Sequence, residues 1–405
     1  MGQPKPDARD AHAIIHVMRI AFVGPFGLRP KGTMAARALP LAKALVARGH
    51  TVALFLPPWS HALDAGRVYV DAGVHIENVA VAPRAFIPPR LLARVRAFQP
   101  DVTHVFKPKA YAGLTQWLLW QMRRRDARRA RLVLDTDDWE GAGGWNDREN
   151  YTWAQKKFFA WQEQWGLKHA DAVTVASRAL ETLVWSLGVP RARVVYLPNG
   201  VNPLPPSALT RAAARAQYDL QDARVVLLYT RFFEYDLTRV VTVLTRVFAE
   251  WSDAKLLLVG KGLFGEEKQF LEMAAARGWR ERVVDAGWVE SSQLRALFAA
   301  ADAALYPFDD TLINRCKCPV KLIDLLAAGV PVVSEAVGQA REYIENDVSG
   351  ILVAPNMADA FAEQLSAVLR DTAQRARLGQ NAAERMARVY AWELLAERAE
   401  RAYAV

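Results

Sequence analysis

Short apolar runs alternate with stretches of helical periodicity along the whole chain. Residues 19–24 are apolar and end in glycine, 25–31 form a loop, and 33–48 repeat apolar side chains at helical spacing until Gly49 stops them. Further strands are predicted at 51–56, 101–106, 131–135 and 172–176, with helices at 109–125, at 149–169 and from 177 to 187. Strands that are apolar throughout and separated by helices predict a parallel sheet wrapped on both faces.

The pattern breaks at Leu197-Pro198-Asn199-Gly200-Val201-Asn202-Pro203, and a second series starts at 224–230. It continues through 256–259, 283–286, 303–306, 330–334 and 351–353, again with helices between. The expected architecture is α/β, with two Rossmann-like doubly wound domains facing across a cleft, residues 18–200 and 201–385. Residues 358–403 read as helical, and 386–405 are expected to lean back onto the first domain. Residues 1–17 resemble an upstream start or a tag. Ligands of such sheets bind beyond the carboxyl ends of the strands, so the chemistry belongs in the cleft.

A length of 405 residues suits two or three domains, and no apolar run reaches the 18 residues of a membrane span. The only cysteines, Cys316 and Cys318, lie two apart with no histidine pair nearby, which leaves no disulfide framework or zinc site and makes the cytosol the default compartment. Charge divides the chain: residues 1–200 carry 28 Lys and Arg against 16 Asp and Glu, and the remainder carries 24 against 27. Nine of the thirteen tryptophans lie in the basic part, a combination that suits nucleic acid or an anionic membrane surface. No nucleic-acid module accompanies it, so no nucleic-acid partner is expected.

Several loops at strand ends carry candidate chemistry. Gly24 to Thr33 joins a strand to a helix, so Gly32 would let an anion approach the positive helix end. Arg231, Gly260-Lys261-Gly262, Gly287-Trp288-Val289-Glu290 and the segment 307–329 all follow strands of the second series. Asp135-Thr136-Asp137-Asp138-Trp139-Glu140 is the densest acidic cluster. Its carboxylates suit substrate binding or base catalysis, helix capping and ion pairing, or Mg²⁺.

Considered in order along the chain, Arg48-Gly49-His50-Thr51-Val52, Ala170-Asp171-Ala172-Val173, the junction 197–202, Leu258 to Gly262, Ala301-Asp302-Ala303, Tyr306-Pro307 and Asp324 to Val333 resemble the nucleotide-sugar glycosyltransferases of the GT-B fold, most closely retaining family 4. The resemblance implies that Arg231 pairs with the donor diphosphate, where a cation stabilises the charge that gathers on the leaving group. The family's lysine five residues later is Asp236 here, and Lys321 in Pro319-Val320-Lys321 is expected to compensate. Of the family's two acidic residues separated by seven, Asp324 matches the second, which holds the ribose, and Cys316 replaces the first, with Asp309, Asp310 or Asn314 as substitutes. The donor is thus expected along Gly32, Gly260, Gly262, Val289, Asn314, Cys316, Val320 and Asp324. Asp137 stands where the family often has a histidine facing the sugar. No cofactor is implied beyond the nucleotide-diphosphate sugar as co-substrate, and no metal.

Trp117, Trp120, Arg123, Arg124 and Arg125 join interfacial aromatics to a basic cluster, which suits an acceptor linked to lipid and a peripheral position on the inner face of the plasma membrane. The expected function is transfer of a sugar to a carbohydrate or lipid-linked acceptor. A sugar-nucleotide epimerase or hydrolase of the same fold, or a degenerate binding scaffold, are the alternatives.

Overall fold

The computed structural model describes residues 16–30, 32–123, 130–207 and 209–404. The first sheet has eight strands: β1 (Arg19–Val23), β2 (Thr51–Leu56), β3 (Val68–Asp71), β4 (Val74–Asn78), β5 (Val102–Phe106), β6 (Arg131–Thr136), β7 (Ala172–Val175) and β8 (Val194–Tyr196). Their order is β3-β4-β2-β1-β5-β6-β7-β8, and only β3 runs antiparallel. The second sheet contains β9 (Arg224–Thr230), β10 (Ala254–Gly260), β11 (Val283–Gly287), β12 (Ala303–Tyr306), β13 (Val332–Glu335) and β14 (Ile351–Val353) in the order β11-β10-β9-β12-β13-β14, all parallel. Strand order reverses between β1 and β5 in one sheet and between β9 and β12 in the other. Such reversals open a crevice at the carboxyl ends. Residues 24–30 and 107–110 frame the first crevice, and loops 231–236 and 307–311 frame the second.

The helical region splits where caps demand it. In place of one helix from 149 to 169, a short turn Trp145–Arg148 precedes a helix Trp153–Lys168, because Thr152 and Gln155 form a reciprocal capping box. The region 358–403 divides into Ala358–Arg370, Thr372–Val389 and Trp392–Ala404, with Asp371 capping the second. The last of these packs on the first sheet, burying Leu395, Ala396, Ala399 and Tyr403 against Ile20, Phe22 and Val52. β3 carries no apolar alternation, since Val68 to Val70 all face solvent at the sheet edge, whereas β4 buries Val74 and Ile76 on alternate positions.

Buried polar groups join the domains. Arg37 donates to both Asp135 oxygens (2.8 and 2.6 Å), to Leu197 O (2.8 Å) and to Asn199 Oδ1 (3.1 Å). Asn199 in turn donates its backbone N–H to Cys318 Sγ (3.1 Å) and its amide to Cys318 O (3.0 Å), while Tyr343 donates its hydroxyl to Asn199 O (3.0 Å). Ser177 donates to Cys316 O at 2.7 Å. His104, at 0% exposure, sits between Tyr403 and Thr174. Burial pushes its pKa down to about 4 and keeps it neutral, a packed histidine that braces the last helix.

Candidate active site

Glycine 32 accepts the backbone N–H groups of Ala35 and Ala36 (3.0 and 2.8 Å), which winds the chain into the helix that carries Arg37. A Cβ at Gly32 would meet only the Phe26 ring at 3.4 Å, so packing does not demand glycine there. The next residue, Thr33, donates its hydroxyl to Asp137 Oδ2 at 2.6 Å. Lys107, with φ +54° just beyond β5, places Nζ 2.7 Å from Asp138, 3.1 Å from Asp137 Oδ1 and 3.9 Å from Glu140. The approach to Asp137 Oδ1 lacks hydrogen-bond geometry, which leaves this buried oxygen without a hydrogen-bond donor among the described residues. Lys109 adds a bridge to Glu140 at 2.6 Å. Beneath it, both oxygens of the buried Glu163 accept the Glu140 backbone N–H at 3.2 Å.

Burial sets the electrostatics of this cluster. It pushes Asp137 up to about 6, with Asp138 and Asp135 pushing the same way and Lys107 and Thr33 pulling back. Burial would also raise Asp138, but Lys107 overrides it and holds that carboxyl below its ordinary range. For Lys107 burial disfavours the charge, yet three surrounding carboxylates raise its pKa. Glu163 is pushed up to about 8, first by burial and then by the Glu140 charge. The lysines neutralise the acidic cluster, and among the described residues no group of His, Cys, Asp or Glu is arranged to hold a metal ion.

On the second domain, Arg231 is exposed at the end of β9, its guanidinium 5.5 Å from the Phe233 ring. Lys321 lies on the first turn of the helix Val320–Ala327, and its Nζ is 3.4 Å from the centroid of the Tyr229 ring, on the same strand end. Pro319 caps that helix without a side-chain bond, so its first amides keep their positive field. Asp324 is buried in the same helix. Gly260 is indispensable: at φ +131° a Cβ would fall 1.9 Å from Thr230 O. Between the domains, Lys317 pairs with Glu234 and lies 4.2 Å from the Phe233 ring and 5.6 Å from that of Trp145. Arg148 donates across to Phe233 O at 3.2 Å.

Family comparison decides what this arrangement belongs to. The Glycosyl transferase 4-like domain matches residues 32–200 and Glycosyl transferases group 1 matches residues 210–385. The chain belongs to the family 4 type of GT-B glycosyltransferases. It is 26% identical over 395 residues to a phosphatidyl-myo-inositol mannosyltransferase of Mycobacterium leprae, covering 95% of this chain and 96% of that one. It is also 26% identical over 246 residues to an uncharacterised glycosyltransferase of Methanocaldococcus jannaschii, 58% of this chain and 60% of the relative, so it spans less than two thirds of that protein. A crystal structure of HepE from Anabaena in complex with UDP shares the fold, with a TM-score of 0.70 at 18% identity over 95% of this chain and 98% of that one.

Within this glycosyltransferase the expected donor residues divide into those that face the crevice and those with structural work. Asp236 caps the helix Leu237–Glu250 through Thr238 N, which explains the missing lysine. Asn314 ties the loop after β12 to Glu234 O and Asp309 O (2.7 and 2.9 Å), and its Oδ1 is buried without a partner. Cys316 is fully buried and pushed up to about 12 by burial, so its thiol stays neutral. The Gly262 amide is taken by Glu267 at 3.0 Å. Val289 is half-buried beside the exposed Trp288, and Val320 opens its helix half-buried.

Residues expected on the acceptor side do not gather at the cleft. Trp120 packs edge-on against Trp165, Trp117 is partly exposed, and Arg123 bridges to Asp171 at 2.7 Å beside the amino ends of β6 and β7. Arg124 and Arg125 lie outside the described residues, as do residues 1–15. The sequence reading passed over Arg37, Lys107, Glu163 and Lys317. Only Lys107 left a signal, as a lysine directly after the strand where the first sheet reverses.

Proposed function

We propose that this glycosyltransferase moves a hexose from a nucleotide-diphosphate donor to a lipid-linked acceptor with retention at the anomeric carbon, acting as a peripheral protein on the cytoplasmic face of the membrane. The observation that carries this reading is the pairing of two switch points. Arg231 stands at the end of β9 with Lys321 Nζ over the Tyr229 ring of the same strand, and Asp137, just past β6, is held by Thr33 and Lys107 on the two loops that flank the first reversal. Arg231, Lys321 and the open amides at Val320 would hold the diphosphate, with Asp324 toward the ribose. Negative charge grows on the departing phosphate, so cations there favour the transition state over the ground state. The bond from the anomeric carbon to the phosphate oxygen breaks, the acceptor oxygen forms the new bond, and its proton passes to the leaving phosphate. Asp137 accepts a hydroxyl of the bound sugar and fixes its orientation.

The UDP in the HepE crystal structure supports a nucleotide-diphosphate donor, and the name of the M. leprae relative supports a lipid acceptor. So does the helix Trp153–Lys168, which exposes Trp153 and Trp161 beside the interdomain contact made by Arg148. No helix among the described residues is long and apolar enough to cross a membrane. The test measures free nucleotide released from UDP-, GDP-, ADP- and TDP-sugars with and without vesicles containing phosphatidylinositol. Release that depends on the vesicles is expected, and Arg231→Ala should lower kcat/KM by about 100- to 1,000-fold. Equal release without acceptor would assign a hydrolase or epimerase, and an unaffected Arg231→Ala would remove the diphosphate site.

A further inference from the structure

The outer edge of the first sheet is bare. β3 pairs with β4, and among the described residues no strand covers its other side. Val68, Tyr69 and Val70 are 56%, 42% and 66% exposed there. Edge strands are commonly guarded by lysine, proline or a bulge, and this apolar run contains none of these. The residues around it repeat in mirror order. In Ala65-Gly66-Arg67-Val68-Tyr69-Val70-Asp71-Ala72-Gly73, each side of Tyr69 reads valine, charge, small, small, and the two charges have opposite sign.

The hydrogen-bonding phase of the hairpin decides which backbone groups are left over. Asn78 donates its N–H to Arg67 O at 2.9 Å, so Arg67 turns inward to β4. Backbone groups alternate in direction along an antiparallel strand, so Tyr69 and Asp71 also turn inward. Asp71 pairs with Val74 across the tight turn at Ala72 and Gly73, whose φ angles are +47° and +81°. The N–H and C=O groups of Val68 and Val70 therefore point away from the sheet.

We propose that β3 pairs with β3 of a second copy of this chain, antiparallel about a two-fold axis at Tyr69. In this register Val68 faces Val70 of the other copy, and symmetry repeats the pair. Each pair exchanges both backbone bonds, which satisfies every outward group of these residues. Arg67 faces Asp71 of the other copy on both sides of the axis, an attractive cross-strand pair made twice. Ala65 and Gly66 face Gly73 and Ala72, so no large side chain obstructs the turns. A slip of two residues sets Arg67 or Asp71 against Tyr69 and loses both charge pairs. Arg67 already bridges Asp64 (3.1 Å) and Asp71 bridges Lys43 (2.8 Å), but their side chains remain 65% and 39% exposed and can take a second partner. About nine residues a side fall short of the 20–30 of a standard interface, so the association is weak and depends on concentration. The edge lies three strands from the reversal at β1, so pairing uses none of the crevice residues.

Sedimentation velocity of the full chain, from micromolar to submillimolar concentration, tests this. A reversible shift to twice the monomer mass is expected. Arg67→Asp and Asp71→Arg each set like charges against one another across the axis and should weaken the dimer at least tenfold. An equimolar mixture of the two variants should dimerise again, because every 67–71 pair then joins opposite signs. Tyr69→Cys gives an independent measurement, since both native cysteines are buried. On the axis its Cα would stand about 4.5 Å from its copy, within disulfide range, and mild oxidation should link the two chains. Val68→Cys, two residues out of register with its copy, should stay unlinked. A monomer at every concentration, single variants that dimerise like wild type, a mixture that stays monomeric, or linkage of Val68→Cys as ready as that of Tyr69→Cys would each overturn the proposal. The cysteine variants decide it even if a charge variant fails to fold.

Discussion

Replacing Asp137 by Asn should make the protein more stable and less active, and the size of the effect follows from where the carboxylate sits. Its pKa is about 6 in the folded chain against 3.8 for an unperturbed aspartate, chiefly because it is buried. Between pH 4 and 6 the folded state therefore binds more protons than the unfolded state. Stability falls as pH rises through that window and is level above it. A shift of two units corresponds to about 3 kcal/mol of destabilisation at pH 7.5, which shrinks to about 1 kcal/mol at pH 4.5. Asn keeps the oxygen that accepts from Thr33 and removes the charge, while Lys107 retains Asp138 and Glu140 as partners. Urea unfolding of wild type and Asp137→Asn at both pH values reads the difference directly. The variant should gain about 1–3 kcal/mol at pH 7.5, with most of the gain lost at pH 4.5. Glycosyl transfer should fall with it, since the carboxylate is held at a cost that only substrate binding offsets. A variant less stable than wild type at pH 7.5, or a gain that ignores pH, would refute the reasoning.

Two further substitutions probe the buried charges. Arg37→Met strands the Asp135 carboxylate, both side chains being essentially without exposure. It should cost about 3–5 kcal/mol in urea unfolding, and the double variant with Asp135→Leu should recover much of that loss. Glu163→Gln should leave stability nearly unchanged at pH 4, where the carboxyl is largely protonated in the unfolded chain as well as in the folded one, and should already stabilise the protein at pH 6, where only the unfolded carboxyl is ionised. Its folded pKa lies above the unfolded value, so the wild type loses stability as pH rises toward 8, and the variant should be the more stable of the two at pH 9.

The sequence carried the architecture because strands buried on both faces leave apolar runs that nothing else in the chain imitates. The strands at 224–230, 303–306 and 351–353 lie where the pattern put them. It failed at β3, whose Val68, Tyr69 and Val70 face water and need no alternation, and at the helix start after Thr152, where a capping box overrode the continuous periodicity. Arg231, Lys321 and Asp324 were picked out by a family resemblance, and the structure places Arg231 directly after β9 and the other two on the helix whose Lys321 reaches Tyr229 of that strand. Glu163 was not, because a carboxyl on an amphipathic helix reads as a solvated group until the fold places Glu140 over it. Asp236, which stands where the family has a lysine, caps a helix, a role that the family position alone did not reveal.

The polypeptide passes between the two lobes twice, and the passages touch. Val201 donates its backbone N–H to Tyr390 O at 2.9 Å, and Trp392 donates its indole N–H to Asn202 at 2.9 Å. Two adjoining strands of connector resist sliding and shearing but yield to a swing about the line they define. A swing about that line would leave both of these bonds intact while changing the separation of the lobes, and it would have to break contacts farther out, such as Arg148 to Phe233 O and Ser177 to Cys316 O.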